Sequence, residues 1–292
     1  MKFLIIGDLH GAKPKIFVKD FDVIIAPGDF CSDGLRKYMF QALIKRMKTD
    51  EDIDWYDFIS RQKAKQAIQK SLRDGRKILN FLNSFNKPVY VLPGNWDWTP
   101  HETKWKYLQQ NHWKKIVGDL KNIKDCHFKN VQFKKLQFVG HGISSGPEKL
   151  IVSKRLESEQ ASLFKAYNKY FKKISTLFMR AKKNKKPVIF LSHNVPYYTK
   201  LDKVINKKSP RNGEHCGSIL ARELILKHKP LVCIGGHMHE HFGKDKIGKT
   251  IVINAGFGKN VNTLLEIKNG KITKLQFYLN KKKTKEKHGR YW

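Results

Sequence analysis

Five short runs of apolar residues, at 3–6, 23–25, 89–92, 188–191 and 231–234, each end in a polar block. None of them alternates apolar with polar. A continuous apolar run of this length is what a parallel strand buried on both faces requires, so five such strands are expected. Residues 35–86 change to a helical period, through Trp55, Phe58, Ile68, Leu72, Leu79 and Leu82, with a break at Asp74-Gly75, and two or three helices fit there. A helical piece at 105–111 precedes short strands at 131–133 and 136–139, which are expected to open an opposing sheet. Residues 153–186 carry helical apolar spacing with Lys and Arg between, an amphipathic insertion. A helix at 219–228 and strands at 251–254, 262–267 and 272–278 complete the pattern. The expected organisation is one domain over residues 1–279 with helical insertions near 35–86 and 153–186, followed by a basic, mobile tail at 280–292.

Composition narrows this picture in two places. Lys and Arg number 59 against 25 Asp and Glu, a net charge of +34, which fits a phosphate-bearing partner and equally fits a solvated lysine-rich surface. Nonspecific nucleic-acid binding is one expectation from it. The second is the cell compartment: Cys31, Cys126, Cys216 and Cys233 show no C-x-x-C spacing, and Cys233 lies inside an apolar run. With no leader-like n- and h-region and no stretch long enough to span a bilayer, a cytoplasmic protein without membrane partners is expected. Oligomeric state is not legible.

The polar blocks themselves carry the chemistry. They are Gly7-Asp8-Leu9-His10, Gly28-Asp29, Gly94-Asn95-Trp96-Asp97, Ser192-His193-Asn194 and Gly236-His237-Met238-His239. Sites in α/β folds form at the carboxyl ends of strands, and Asp, His and Asn offer oxygen and imidazole ligands suited to divalent Mn, Fe, Ni or Zn. A dinuclear metal site is the reading.

In sequence and order the blocks resemble the calcineurin-like metallophosphoesterase superfamily, whose pattern is D-x-H, G-D, G-N-H-[D/E], H and G-H-x-H, over residues 2–258. The resemblance implies an α/β fold of four layers, a β-sandwich flanked by helices. It implies that Asp8, His10, Asp29 and His239 hold one metal, that Asp29, Asn95, His193 and His237 hold the other, and that Asp29 bridges. Manganese is favoured, with Fe, Ni or Zn as alternatives. The implied reaction is hydrolysis of phosphodiesters by a metal-bridged hydroxide. A nuclease acting on DNA or RNA is the alternative enzyme, and a binding protein on a degenerate phosphoesterase fold is the non-catalytic one.

Trp96 departs from the pattern, which has His there. An indole cannot shuttle a proton near neutral pH, so protonation of the leaving group is weakened and Asp97 is expected to orient its neighbours. Catalytic roles therefore fall to Asp8, Asp29, Asn95 and Asp97, with His215 preferred over His141 and His241 as a replacement acid. Asn194 and Asn254 are candidates for a phosphate contact or for local capping. The loop at 195–218, with Lys200, Lys203, Lys207, Lys208 and Arg211, is the main candidate for specificity. Tyr197, Tyr198 and Trp96 offer π-faces for a nucleobase or an aryl leaving group.

Overall fold

A computed structural model describes residues 1–49, 53–101, 103–143, 146, 148 and 157–289. The chain opens with β1 (Lys2–Ile5), β2 (Val23–Ala26), α1 (Arg36–Thr49), a 3₁₀ turn at Trp55–Phe58 and α2 (Arg61–Asn83). It continues through β3 (Val89–Val91), a 3₁₀ turn at Lys106–Gln109, α3 (His112–Val117), β4 (Ile123–Asp125), β5 (Asn130–Phe133), β6 (Leu136–His141) and α4 (Glu157–Lys183). The second half holds β7 (Val188–Asn194), α5 (Ile219–His228), β8 (Val232–Gly236), β9 (His241–Ile247), β10 (Thr250–Asn254), β11 (Val261–Lys268), β12 (Lys271–Leu279), β13 (Lys282–Thr284) and β14 (Lys287–His288).

Two seven-stranded sheets result, in the orders β13-β12-β11-β1-β2-β3-β4 and β14-β9-β10-β8-β7-β6-β5. The five apolar runs are parallel where they pair: β1 with β2, β2 with β3, and β7 with β8. Their lack of alternation has a direct cause. Phe3, Ile5, Val23 and Ile25 point into the core between the sheets, while Leu4, Ile24 and Ala26 point outward into a second core under α2 and α3. A third core lies under α4 and α5 on the far sheet, around Ile174, Phe178, Phe190, Leu220 and Leu224. Each strand residue thus loses water on whichever side it faces, worth about 1.5–3 kcal/mol for a fully buried Ile or Leu. Helix, sheet, sheet, helix is the four-layer α/β architecture. Tyr90 and Phe138 stack across the inner core at 4.0 Å and 5°.

Three sequence expectations need correction. Asp74-Gly75 does not break the helix, because α2 runs straight through it. Gly75 faces Cys31, whose Sγ would lie 2.6 Å from a Cβ at this position, so the glycine serves close approach of helix and loop. The apolar face of α2, at Ala64, Ile68, Ser71, Gly75, Ile78, Leu79 and Leu82, keeps its helical spacing across it. The tail expected to be mobile at 280–292 is paired over its described residues, 280–289: β13 lies on β12 and β14 on β9, and residues 290–292 lie outside the described residues. Lys200 holds Glu286 at 2.6 Å and the Gly289 N–H donates to the Glu240 carbonyl at 2.7 Å, so polar bonds dock a segment that lacks apolar residues. The helical piece at 105–111 is a 3₁₀ turn running into α3, which Asn111 caps by accepting the Lys114 N–H at 2.9 Å. Of the insertion expected at 153–186, residues 153–156 lie outside the described residues. Among the described residues, no helix is long and apolar enough to cross a membrane.

Candidate metal centre

The carboxyl ends of β1, β2, β3, β7 and β8 meet at one end of the sandwich and bring seven residues of the sequence reading together. Ligand-type atoms of Asp8, His10, Asp29 and His239 lie within 4.8 Å of one another, as do those of Asp29, His193 and His237. Asp29 belongs to both groups. Asn95 Oδ1 joins the second group, 3.0 Å from His193 Nε2 and 2.9 Å from His237 Nδ1.

Local backbone geometry aims these side chains. Asp8, His10, Asp29 and His237 adopt φ of 48°, 44°, 57° and 67°. This left-handed region costs a non-glycine residue about 1 kcal/mol or more, least for Asp, Asn and His, and such strain concentrates at functional sites. The glycines of the blocks make room. A Cβ on Gly94 would sit 2.1 Å from Asp29 Oδ1, and one on Gly236 would sit 2.4 Å from Asp8 Oδ2.

The polar atoms are arranged for positive charge. Asp29 Oδ1 accepts the Trp96 N–H at 2.9 Å, while Asp29 Oδ2 is buried with no hydrogen-bond partner among the described residues and lies 3.4 Å from His193 Nε2 and 3.5 Å from His10 Nε2. Asp8 divides its oxygens likewise: Oδ2 accepts the His237 N–H at 2.7 Å and Oδ1 is buried and unpartnered. His193 Nδ1 donates to the Pro27 carbonyl at 2.8 Å, which turns Nε2 toward Asp29 Oδ2 and Asn95 Oδ1. An imidazolium or a cation reconciles these converging lone pairs. The ring nitrogens of His10 and His239 also face each other at 3.2 Å. Orphaned buried carboxylate oxygens are costly unless an ion satisfies them, and this set of O and N atoms fits two divalent cations.

Positive charge collects at His193. Burial alone would lower the His193 imidazole, but the Asp29 carboxylate beside it, aided by Asp8, raises it to about 9. Burial pushes Asp29 up, yet His193, His10 and the Trp96 N–H outweigh this and hold its carboxyl far below the usual range. Asp8 is raised by burial and by the nearby Asp29 charge, against the pull of His193. Burial lowers His10 and His239, keeping them neutral imidazoles able to ligate.

Asp97 holds no ligand position. Its carboxylate accepts four backbone N–H groups, from Asp29 and Gly94 at 2.8 Å, Phe30 at 2.9 Å and Cys31 at 3.0 Å, tying the loops after β2 and β3 together. Burial and the Asp29 charge push it up to about 6, against the stabilising N–H groups.

A cavity of about 800 Å³ opens over the ligand atoms, lined by Arg36, Trp96, Asn206, Lys207, Lys208 and Glu240 among others. Of the cationic loop, Lys207 and Lys208 therefore reach the site. Lys200 is drawn away to Glu286, and Arg211 pairs with Glu214 at 2.8 Å. His215 is not among the lining residues, because buried Asp202 draws its Nδ1 to 2.7 Å of Oδ1. His215 sits instead between Tyr197 and Tyr198, away from the cavity they were expected to line. His141 is buried beside Phe128 and Tyr170, and burial with neighbouring His127 lowers it to about 3. His241 Nε2 donates to the Lys203 carbonyl at 2.6 Å. Asn194 and Asn254 serve the backbone, donating to the carbonyls of Cys216 at 2.8 Å and Met238 at 3.1 Å.

Sequence reasoning missed Arg36, whose charge is felt at His10 and His239, and Phe257, whose ring lies 4.2 Å from that of His239 and 5.4 Å from that of His10. The setting of Phe257 between Gly256 and Gly258 is the one signal that marked it.

Two adjoining groups of residues that could hold divalent metals, at the strand ends of a two-sheet α/β sandwich, mark the class of protein. Residues 1–241 match the profile of the calcineurin-like phosphoesterase family, and the chain belongs to that family. Solved structures share the fold. One aligns with a TM-score of 0.58 at 15% identity, covering 95% of this chain and 98% of its own. A dimetal phosphatase from Danio rerio aligns with a TM-score of 0.51 at 9% identity, covering 99% of each chain. No curated protein matches the sequence.

Proposed function

We propose that this protein is a dinuclear metal-dependent phosphoesterase that hydrolyses phosphodiesters, with manganese the favoured metal. The observation that carries the reading is Asp29, the residue common to both groups, whose Oδ2 is buried without a hydrogen-bond partner among the described residues. Asp8, His10, Asp29 and His239 would hold one ion and Asp29, Asn95, His193 and His237 the other. Two such ions supply Lewis-acid polarisation of a phosphoryl oxygen and acidify a water to near-neutral pKa.

The protein's own groups do the rest. His193 is locked in one tautomer by the Pro27 carbonyl, so its Nε2 stays aimed at the centre. Arg36, Lys207 and Lys208 give the cavity positive charge for an anionic substrate. Trp96 cannot donate a proton to the leaving oxygen near neutral pH, and its ring stands 6.3 Å from that of His10; Asp202 holds His215 at Nδ1, and His215 is not among the residues lining the cavity. This supports diesters with aryl or sugar-type leaving groups over alkyl monoesters. The net charge of +34 favours a second reading, in which the diester belongs to DNA or RNA.

The test is a parallel assay of manganese-loaded protein on a bis-aryl phosphodiester, an aryl monoester, an alkyl monoester and single-stranded oligonucleotide. Turnover of the diester well above both monoesters is expected. An alkyl monoester hydrolysed as fast as the aryl diester contradicts the reading.

A further inference from the structure

A second cavity, of about 590 Å³, adjoins the one over the ligand atoms, and Arg36, Asn95, Trp96 and His237 line both. The rest of its wall comes from residues that the metal centre does not use: Met39, Phe40 and Leu43 on α1, Trp55 and Tyr56 on the 3₁₀ turn, and Trp98. α1 packs chiefly on that turn, which leaves Phe40 51% exposed at the rim.

The rings are fixed before anything binds. Trp55 meets Trp98 edge-on at 6.0 Å and Tyr56 at 5.5 Å. The Trp98 indole N–H donates to Ser71 Oγ at 3.0 Å, and Arg61 lies over the Tyr56 ring at 3.8 Å. Asp54, His101 and Thr103 add a polar edge, and Arg46 adds a second cation beyond Arg36. Prefixed aromatic faces bind at low entropic cost, and a cavity of this size matches a drug-sized organic group.

We infer that this cavity seats the nucleobase of a nucleoside phosphodiester whose phosphoryl group lies against the ligand atoms, an inference that rests on the phosphodiesterase reading. A nucleobase has both features the wall asks for, a flat π-face and an edge of N–H, N and O groups. An alkyl chain would offer no polar group to this edge, where Thr103 Oγ1 already meets the Tyr56 hydroxyl and His101 lies beside it. Arg36, shared by the two cavities, stands where base and phosphoryl arms would join. The proposal assigns specificity to α1 and the 3₁₀ turn as well as to the cationic loop.

Isothermal titration of the metal-loaded full chain compares adenosine 5′-monophosphate with ribose 5-phosphate, which carries a hydroxyl at C1 in place of the base. Stacking of this kind predicts about tenfold or tighter binding of the nucleotide, and Phe40→Ala and Trp55→Leu should each remove most of that difference. Equal affinities for the two ligands overturn the inference, as does tighter binding of an alkyl phosphate such as decyl phosphate. If Trp55→Leu does not fold, Phe40→Ala, altering an exposed side chain, carries the mutational arm. Hydrolysis of a bis-aryl diester is scored separately. A retained base preference without hydrolysis sinks the phosphodiesterase reading alone, and hydrolysis without base preference sinks the cavity assignment alone.

Discussion

Asp97 and Asp202 are both fully buried carboxylates that hold loops by accepting backbone N–H groups, yet they hold different things. Asp97 gathers the N–H groups of Asp29, Phe30, Cys31 and Gly94, so it fixes the ligand atoms themselves. Asp202 gathers those of Tyr198, Thr199 and Gly217 at 3.0, 2.8 and 2.9 Å, together with His215 Nδ1, and so fixes the loop that carries Lys207 and Lys208 over the cavity. One device thus serves the precision of the metal centre in one place and access to it in the other. The lesson is that a buried acid in a phosphoesterase loop need not touch substrate to matter, and what its loss does depends on what the loop carries.

Of these two acids, Asp97→Asn should give the larger effect. An amide replaces one acceptor oxygen with N–H groups that face the backbone N–H groups, leaving buried donors unpaired. A loss of about 3 kcal/mol in stability and a 10- to 100-fold loss of metal affinity are expected, read by urea unfolding and metal titration. Asp202→Asn should separate the two roles. It should raise KM severalfold while leaving metal content at the wild-type value; loss of metal there would erase the distinction between the loops.

Trp96, between Asn95 and Asp97, sharpens the comparison from the chemical side. Trp96→His should raise activity on alkyl monoesters about 100-fold, the low end of what a positioned acid contributes. A wild-type rate independent of leaving-group pKa would mean that another acid already acts.

Away from both loops, His127 provides a control on acid stability. Its Nδ1 accepts the Gly142 N–H at 3.0 Å, and burial, then Lys173 and Lys129, push it down to about 3. The unfolded chain takes up this proton near pH 6.5 and the native one does not, so stability should fall as pH drops from 6.5 toward 3, by about 3 kcal/mol at pH 4.5. His127→Gln should flatten that limb in urea titrations. The smallest expected effect is that of salt on a small diester, whose kcat/KM should change far less than oligonucleotide affinity does.

Much of the fold was legible because its parallel strands are buried on both faces and so spell out unbroken apolar runs ahead of their polar blocks. The residues that converge at the centre were legible for the same reason, as strand ends. Other parts left no such trace. β14 is two residues, Lys287 and His288, paired through backbone bonds and a 2.8 Å contact between the Nδ1 atoms of His288 and His241. β4 is too short to show a period, and β9 mixes Lys and Asp with its buried residues. No sequence pattern marks Asp202 or Arg36, since their roles depend on chain segments far away in sequence. Gly75 was misread because a glycine that breaks a helix and one that lets a helix approach a loop are the same letter.

The central claim is that Asp29 joins two metal positions. Metal analysis of purified wild type and Asp29→Ala, paired with bis-aryl diester hydrolysis on the same samples, tests it most directly. Two divalent ions per chain are expected in the wild type, against at most one in Asp29→Ala, with turnover reduced by about 10³ or more. Two ions per chain and near-native turnover in Asp29→Ala would contradict it.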